Sequence, residues 1–140
     1  MIGMQTTFVT EAIMAEEKAT LCLRNGAIVY LRGDASDCAY LIKSGRVEVR
    51  QKGNAVEKLC VGEIFGEMCL IDGGPRSATV LADSDLELVR IDRARFLTLV
   101  RDDEDFAMTI MRLIVRRHRA TIDLFEDCLR TREQSHARAA

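Results

Sequence analysis

The chain is 140 residues long, 48% hydrophobic and 30% charged, with a formal net charge of −2. That length suits one domain with one core, the lack of surplus positive charge argues against a module built to coat nucleic acid, and no run approaches the roughly 18 apolar residues of a membrane span. The first residues place no lysine or arginine ahead of their apolar positions, so they lack the layout of a secretory signal. The five cysteines are odd in number and free of C-x-x-C spacing, which reads as reduced thiols in a cytoplasmic protein.

In chain order, residues 1–17 are expected to form a short helical segment and residues 18–92 a series of about eight short strands. ATLCL (19–23) and AIVYL (27–31) flank Arg24-Asn25-Gly26, whose Asn-Gly pair predicts a tight hairpin. RGDAS makes the next turn, CAYLIK is a second apolar run, and Ser44-Gly45 turns again. RVEVR (46–50) alternates with period two, so one of its faces is buried. KGN at 52–54 closes another hairpin into AVEKLCV, and SATVLA and LELVRI read as two further strands. Short strands at this spacing predict a sandwich or roll.

From Asp92 the pattern turns helical, through about residue 131, which makes the whole an α+β domain. Asp92 is placed to cap a helix containing Phe96, Leu97 and Val100, and Asp102, Asp103, Glu104 and Asp105 set negative charge where a second, long helix begins. Met111, Val115, His118, Ile122, Phe125 and Leu129 then form a seam of not quite three heptads, which either pairs with a second copy of the chain or packs on the roll. Arg116, Arg117, His118 and Arg119 read as a solvated helix face. The tail, residues 132–140, lacks an apolar face and is expected to fray.

The densest chemistry lies in FGEMCLIDGGPRSATV, residues 65–80. Gly73 and Gly74 allow a sharp turn, and Pro75 fixes the backbone just before Arg76, so the guanidinium is delivered by a stiff approach. EMCLI suits one or two helical turns whose free N–H groups at the Gly66 end attract an anion. Arginine presents planar paired donors that fit phosphate oxygens, the Ser77 and Ala78 amides with the Ser77 hydroxyl can complete a cradle, and Glu67 suits a sugar hydroxyl. The plain alternative is a structural salt bridge between Glu67 and Arg76. Catalysis is poorly supplied: the histidines, His118 and His136, both lie in the helical third, which leaves the strands without the histidine that a cupin-like metal site or an activated nucleophile calls for.

FGEMCLIDGGPRSATV resembles the phosphate-binding cassette of the cyclic nucleotide-binding domains, which reads approximately F-G-E-[LM]-x-L-[IL]-x-x-x-P-R-[STA]-A-T-V. GAIVYLRGDASDCAYLIKSGRVEV resembles the glycine-punctuated strands of the same family, of the catabolite activator protein and kinase regulatory subunit type, and the likeness runs over roughly residues 18–130. It implies an antiparallel β-roll (jelly-roll-like, a double-stranded β-helix) with a short cassette helix and C-terminal helices. By the same resemblance Arg76 pairs with the cyclic phosphate, Glu67 accepts from the ribose 2′-hydroxyl, and backbone groups at Gly66, Met68, Ser77 and Ala78 line the sugar-phosphate pocket. The long helix of relatives carries R-R-L-Q-V-T with a threonine on adenine. Here VRRHRATID sets Arg117 and Thr121 at the matching spacing, while Ile122 replaces the serine that follows that threonine.

The function so implied is a non-enzymatic, stand-alone sensor. It binds cAMP in preference to cGMP and signals through movement of the C-terminal helix to an unnamed protein partner, with a homodimer through that helix as an option. No metal or other cofactor is expected. No helix-turn-helix DNA-binding domain is expected either, the sequence running about ten residues past the helix. The alternatives are a ligand-free interaction scaffold of the same fold, which the joint presence of Glu67 and Arg76 argues against, and a cupin-like metal enzyme, which the placement of both histidines in the helical third disfavours.

Overall fold

A computed structural model describes Ile13 and residues 19–139, with side chains described through Gln134. The expected helical segment at 1–17 lies outside the described residues except for Ile13, which is buried. Eight strands follow: β1 (Thr20–Leu23), β2 (Ile28–Tyr30), β3 (Cys38–Ser44), β4 (Val47–Gln51), β5 (Asn54–Leu59), β6 (Ile64–Phe65), β7 (Thr79–Ala82) and β8 (Leu86–Asp92). The helices are α1 (Met68–Asp72), α2 (Arg93–Asp102) and α3 (Glu104–Ala139).

The strands form two antiparallel four-stranded sheets, ordered β1-β8-β3-β6 and β2-β7-β4-β5, as expected for an antiparallel β-roll. Strand parity explains why several strands read as continuous apolar runs. In β3, Ala39 and Leu41 point to the helical side, while Tyr40 and Ile42 point between the sheets; in β8, Val89 and Ile91 face the helices and Leu86 and Leu88 the interior. Both faces of this sheet are therefore buried. One cluster joins Leu41, Ile64, Leu70 and Ile91 to Phe96, Phe106, Ile110 and Leu113 of the helices; the other fills the roll with Val47, Leu59, Phe65, Val80 and Leu88.

One expected hairpin forms and one does not. Between β4 and β5 the turn residues Lys52 and Gly53 both take positive φ, 52° and 79°, and Gln51 pairs with Asn54 across it. Those angles twist the chain as a two-residue hairpin requires. The Arg24-Asn25-Gly26 turn instead leads from β1 into the opposite sheet, a correction to the sequence reading. Of its Asn-Gly pair only Gly26 has positive φ, and the chain leaving the turn bonds at once to β7, Gly26 N–H donating to the Ala82 carbonyl at 2.8 Å and Ala82 N–H to the Ala27 carbonyl at 2.8 Å. Pairing β2 with β7 satisfies that strand's edge and lets Leu23 and Val29 pack on the interior from opposite sheets.

Asp92 caps α2 as its side chain accepts from Arg95 N–H at 2.8 Å, and Asp103 accepts from Phe106 N–H at 3.0 Å at the start of α3. Glu104 and Asp105 lie in the first turn of α3, where the helix dipole favours them. Phe96 and Phe106 lock the two helices edge to face at 5.8 Å. Beyond Leu113 no side chain of the long helix is buried among the described residues, and the seam residues Met111, Val115, His118, Ile122, Phe125 and Leu129 are all exposed. Its seam therefore does not pack on the roll. The helix also continues to Ala139 through the segment expected to fray, because 104–139 contains no glycine or proline to stop it and ends in helix-favouring residues.

Candidate functional site

Among the described residues, the buried charged side chains are Glu67 and Arg76, at 0% and 3% exposure. Burying a charge is costly, so each demands a physical account. Both belong to the segment between β6 and β7, whose helix α1 buries Cys69 and Leu70 and closes at Gly73 in the left-handed conformation.

Arg76 is held by neutral groups. Its Nη1 donates to the Gly66 carbonyl at 3.0 Å, and its Nη2 donates to the Cys38 carbonyl at 2.8 Å and to Ser36 Oγ. The guanidinium carbon lies 4.1 Å from the centre of the Tyr30 ring and 5.7 Å from that of Tyr40. Its Nε–H is buried without a hydrogen-bond partner, and no carboxylate pairs with it among the described residues. The backbone is clamped as well: Arg76 N–H donates to the Asp34 carbonyl and the Arg76 carbonyl accepts from Gly33 N–H, both at 2.9 Å. Gly66, at φ 80°, is required twice over, because a Cβ there would be strained and would collide with Arg76 Nη1.

Glu67 does not pair with Arg76. Its Oε1 accepts from Arg117 Nη1, reaching across from α3, while Oε2 is buried and unpartnered. Arg117 also donates from Nη2 to the Ile64 carbonyl at 2.9 Å, and its Nε stands 3.8 Å from Glu57 Oε2 on β5. One guanidinium thus ties the long helix to the cassette and to the second sheet.

The remaining expected residues are distributed unevenly. Met68 and Ser77 meet, the Ser77 hydroxyl donating to the Met68 sulfur at 3.7 Å, and Ala78 is buried beside them in sequence. Thr121 lies one helical turn beyond Arg117, exposed, with its hydroxyl donating to the Arg117 carbonyl at 3.0 Å. That bond turns its hydroxyl to its own helix and not to the cassette. Tyr30, Ser36, Cys38, Tyr40 and Glu57 were not anticipated. For Tyr40 the signal was strand parity, since it shares the inward face of β3 with Ile42; for the others no local pattern marks them.

The surroundings of Arg76 alter their own titration. Burial drives the Tyr30 phenol well above the ordinary tyrosine range, with the Arg76 cation opposing only part of the effect. Tyr40 is pushed up to about 12 by burial and by its hydrogen bond with Cys38. Burial works to raise the Cys38 thiol, but hydrogen bonds from Tyr40 and Ser36 and the nearby Arg76 and Arg90 cations outweigh it and bring it below the ordinary thiol value. No helix among the described residues is long and apolar enough to cross a membrane, and no group of three or more metal-ligating side chains gathers among them.

A buried, unmatched guanidinium beside a buried carboxylate with a spare oxygen suits a phosphate joined to a hydroxyl-bearing sugar. Residues 20–103 match the family model described as the cyclic nucleotide-binding domain. The chain belongs to that family. It is 37% identical over 92 residues to a cyclic nucleotide-gated potassium channel of Rhizobium etli, covering 66% of this chain and 26% of the channel. To the cyclic AMP receptor protein of Thermus thermophilus it is 34% identical over 99 residues, covering 67% of this chain and 46% of that protein. The chain therefore spans less than half the length of these curated relatives. Among solved structures, the catabolite activator protein of Thermus thermophilus superimposes with a TM-score of 0.71 at 31% identity, covering 85% of this chain and 57% of that one. The β-roll, the cassette and the helices behind it are thus the architecture of cyclic nucleotide-binding domains.

Proposed function

We propose that this domain is a non-enzymatic sensor that binds cAMP in preference to cGMP through residues 65–80 and reports occupancy through α3. The observation that carries the reading is the Arg76 guanidinium, buried and without a carboxylate. A cyclic phosphodiester bears one permanent negative charge and supplies that missing counterion, using the unpartnered Nε–H. Glu67 Oε2 accepts from the ribose 2′-hydroxyl while Oε1 stays on Arg117, and backbone groups of Gly66, Met68, Ser77 and Ala78 line the remainder of the sugar-phosphate pocket. Thr121, one turn along from Arg117, is the candidate contact to the adenine amino group once its hydroxyl rotates from the helix backbone. The preference for cAMP draws support from the Thermus relative named as a cyclic AMP receptor protein. The domain acts in the cytoplasm.

Charge accounting favours a mononucleotide. Arg117 is already matched by Glu67 and faces Glu57, so a cyclic mononucleotide neutralises the Arg76 site where a doubly charged ligand overfills it. Calorimetric titration with cAMP, cGMP and cyclic dinucleotides tests the reading. Wild type takes up cAMP most tightly, and Arg76→Ala weakens it by on the order of 2 to 5 kcal/mol, about 30-fold or more. Heat from none of these ligands would leave the scaffold reading instead, and equal affinity in the alanine variant would remove Arg76 from the phosphate.

A further inference from the structure

We propose that Tyr30 is a positioning residue for ligand binding: its ring face seats the Arg76 guanidinium in place of a counter-carboxylate and keeps the full cationic charge available to phosphate. The inference rests on the cyclic-nucleotide reading above and deepens it.

A buried arginine ordinarily acquires an acidic partner, because an uncompensated charge is expelled from a low-dielectric interior. Arg76 has none. Its compensation comes from two carbonyl oxygens, one hydroxyl, the Cys38 sulfur at 3.5 Å and the face of Tyr30 at 4.1 Å, well within the range at which a ring quadrupole attracts a cation. A carboxylate in that seat would neutralise the guanidinium and compete with the incoming phosphate for the same donors. An aromatic face stabilises the charge yet accepts no paired N–H bonds, so phosphate meets no anionic rival.

The seat is rigid. Tyr30 ends β2 and is fixed by Phe65 and Tyr40, with ring centres 6.0 Å and 6.4 Å away. The loop that follows it bonds to the cassette: Gly33 N–H and the Asp34 carbonyl hold the backbone of Arg76, and Arg32 N–H donates to Thr79 Oγ1 at 3.0 Å. One short stretch of chain, 30–34, therefore positions both ends of the arginine, its backbone through hydrogen bonds and its guanidinium through the ring.

The test is titration of the full chain with cAMP after replacing residue 30. Tyr30→Phe retains affinity to within about 2-fold, since the ring face remains, whereas Tyr30→Leu loses about 10-fold to 30-fold. Because leucine can also disturb packing, phenylalanines of increasing ring fluorination are installed at the same position. They preserve shape while withdrawing density from the face, and cAMP affinity falls stepwise along the series while far-ultraviolet circular dichroism shows the fold retained. The chain contains two tyrosines, both beside Arg76, and no tryptophan, so tyrosine emission offers an independent readout of ligand arrival. A wild type that binds cAMP with an affinity indifferent to fluorination overturns the inference alone. A wild type that binds no cyclic nucleotide overturns the underlying reading and the inference with it.

Discussion

At the scale of single residues, the interior of the roll carries a polar constellation inside an apolar shell, and its members constrain one another. Arg76 needs Gly66 for space, the Cys38 and Gly66 carbonyls for hydrogen bonds and Tyr30 for its π face. The same packing makes the tyrosines sensitive reporters of folding. Both phenols are held neutral in the folded chain beyond the pH at which an unfolded tyrosine ionises, Tyr30 by burial above all and Tyr40 up to about 12. The raised values mean that their contribution to stability is complete below about pH 10 and is lost as pH climbs through the folded values. Urea midpoints are therefore expected to fall between about pH 10 and 12. Tyr30 contributes at most about 1.4 kcal/mol per pH unit, and the partly exposed Tyr40 contributes less. Comparison with Tyr30→Phe isolates the tyrosine share from the other groups that titrate in this window, and an identical decline in that variant would contradict the assignment.

At the scale of elements, the ion pair between Arg117 and Glu67 joins α3 to the cassette across fifty positions of sequence. Arg117→Met strands the Glu67 carboxylate in the interior and is expected to lower stability by up to about 3 kcal/mol, moderated because the arginine is partly solvated. Adding Glu67→Gln removes the orphaned charge and recovers most of that loss. Chemical denaturation of the two variants checks this, and a double variant no more stable than the single would contradict it. Hydrogen exchange should also quicken in residues 110–121 of the single variant, where the latch is lost.

Much of this level was legible in the sequence. The Asp92 cap, the acidic start of α3 and the Lys52-Gly53 hairpin are local chemistry, fixed within a few residues. The route from β1 to β2 was not, because whether Asn25-Gly26 makes a hairpin depends on β7, a strand more than fifty residues away. The partner of Glu67 escaped notice for the same reason. The arginine and glutamate of the cassette were visible as a pair of functional groups, but which cation neutralises which carboxylate is settled by helix docking. Tyr30 and Tyr40 read as ordinary strand aromatics until the roll closes around residue 76.

At the scale of the whole molecule, the exposed length of α3 is the element that the proposed function assigns to output. In the proposed function, ligand shifts α3 only by the difference in its affinity for two positions of the helix, and the Arg117 latch is the contact proposed to express that difference. The exposed seam from Met111 to Leu129 offers a second copy of the chain a surface to pair with. Sedimentation is expected to show a dimer for wild type and a monomer for Phe125→Asp, which places a charge on the most exposed apolar position of the seam. A wild type that stays monomeric with and without cAMP would contradict pairing. The claim beneath all of this is that Arg76 awaits a phosphate, and the most direct measurement is a crystal structure of the domain with cAMP bound. The account predicts a phosphate oxygen at hydrogen-bond distance, about 3 Å, from the Arg76 guanidinium and the ribose hydroxyl on Glu67. Nucleotide bound elsewhere, with Arg76 making only its contacts to Ser36, Cys38 and Gly66, would contradict it.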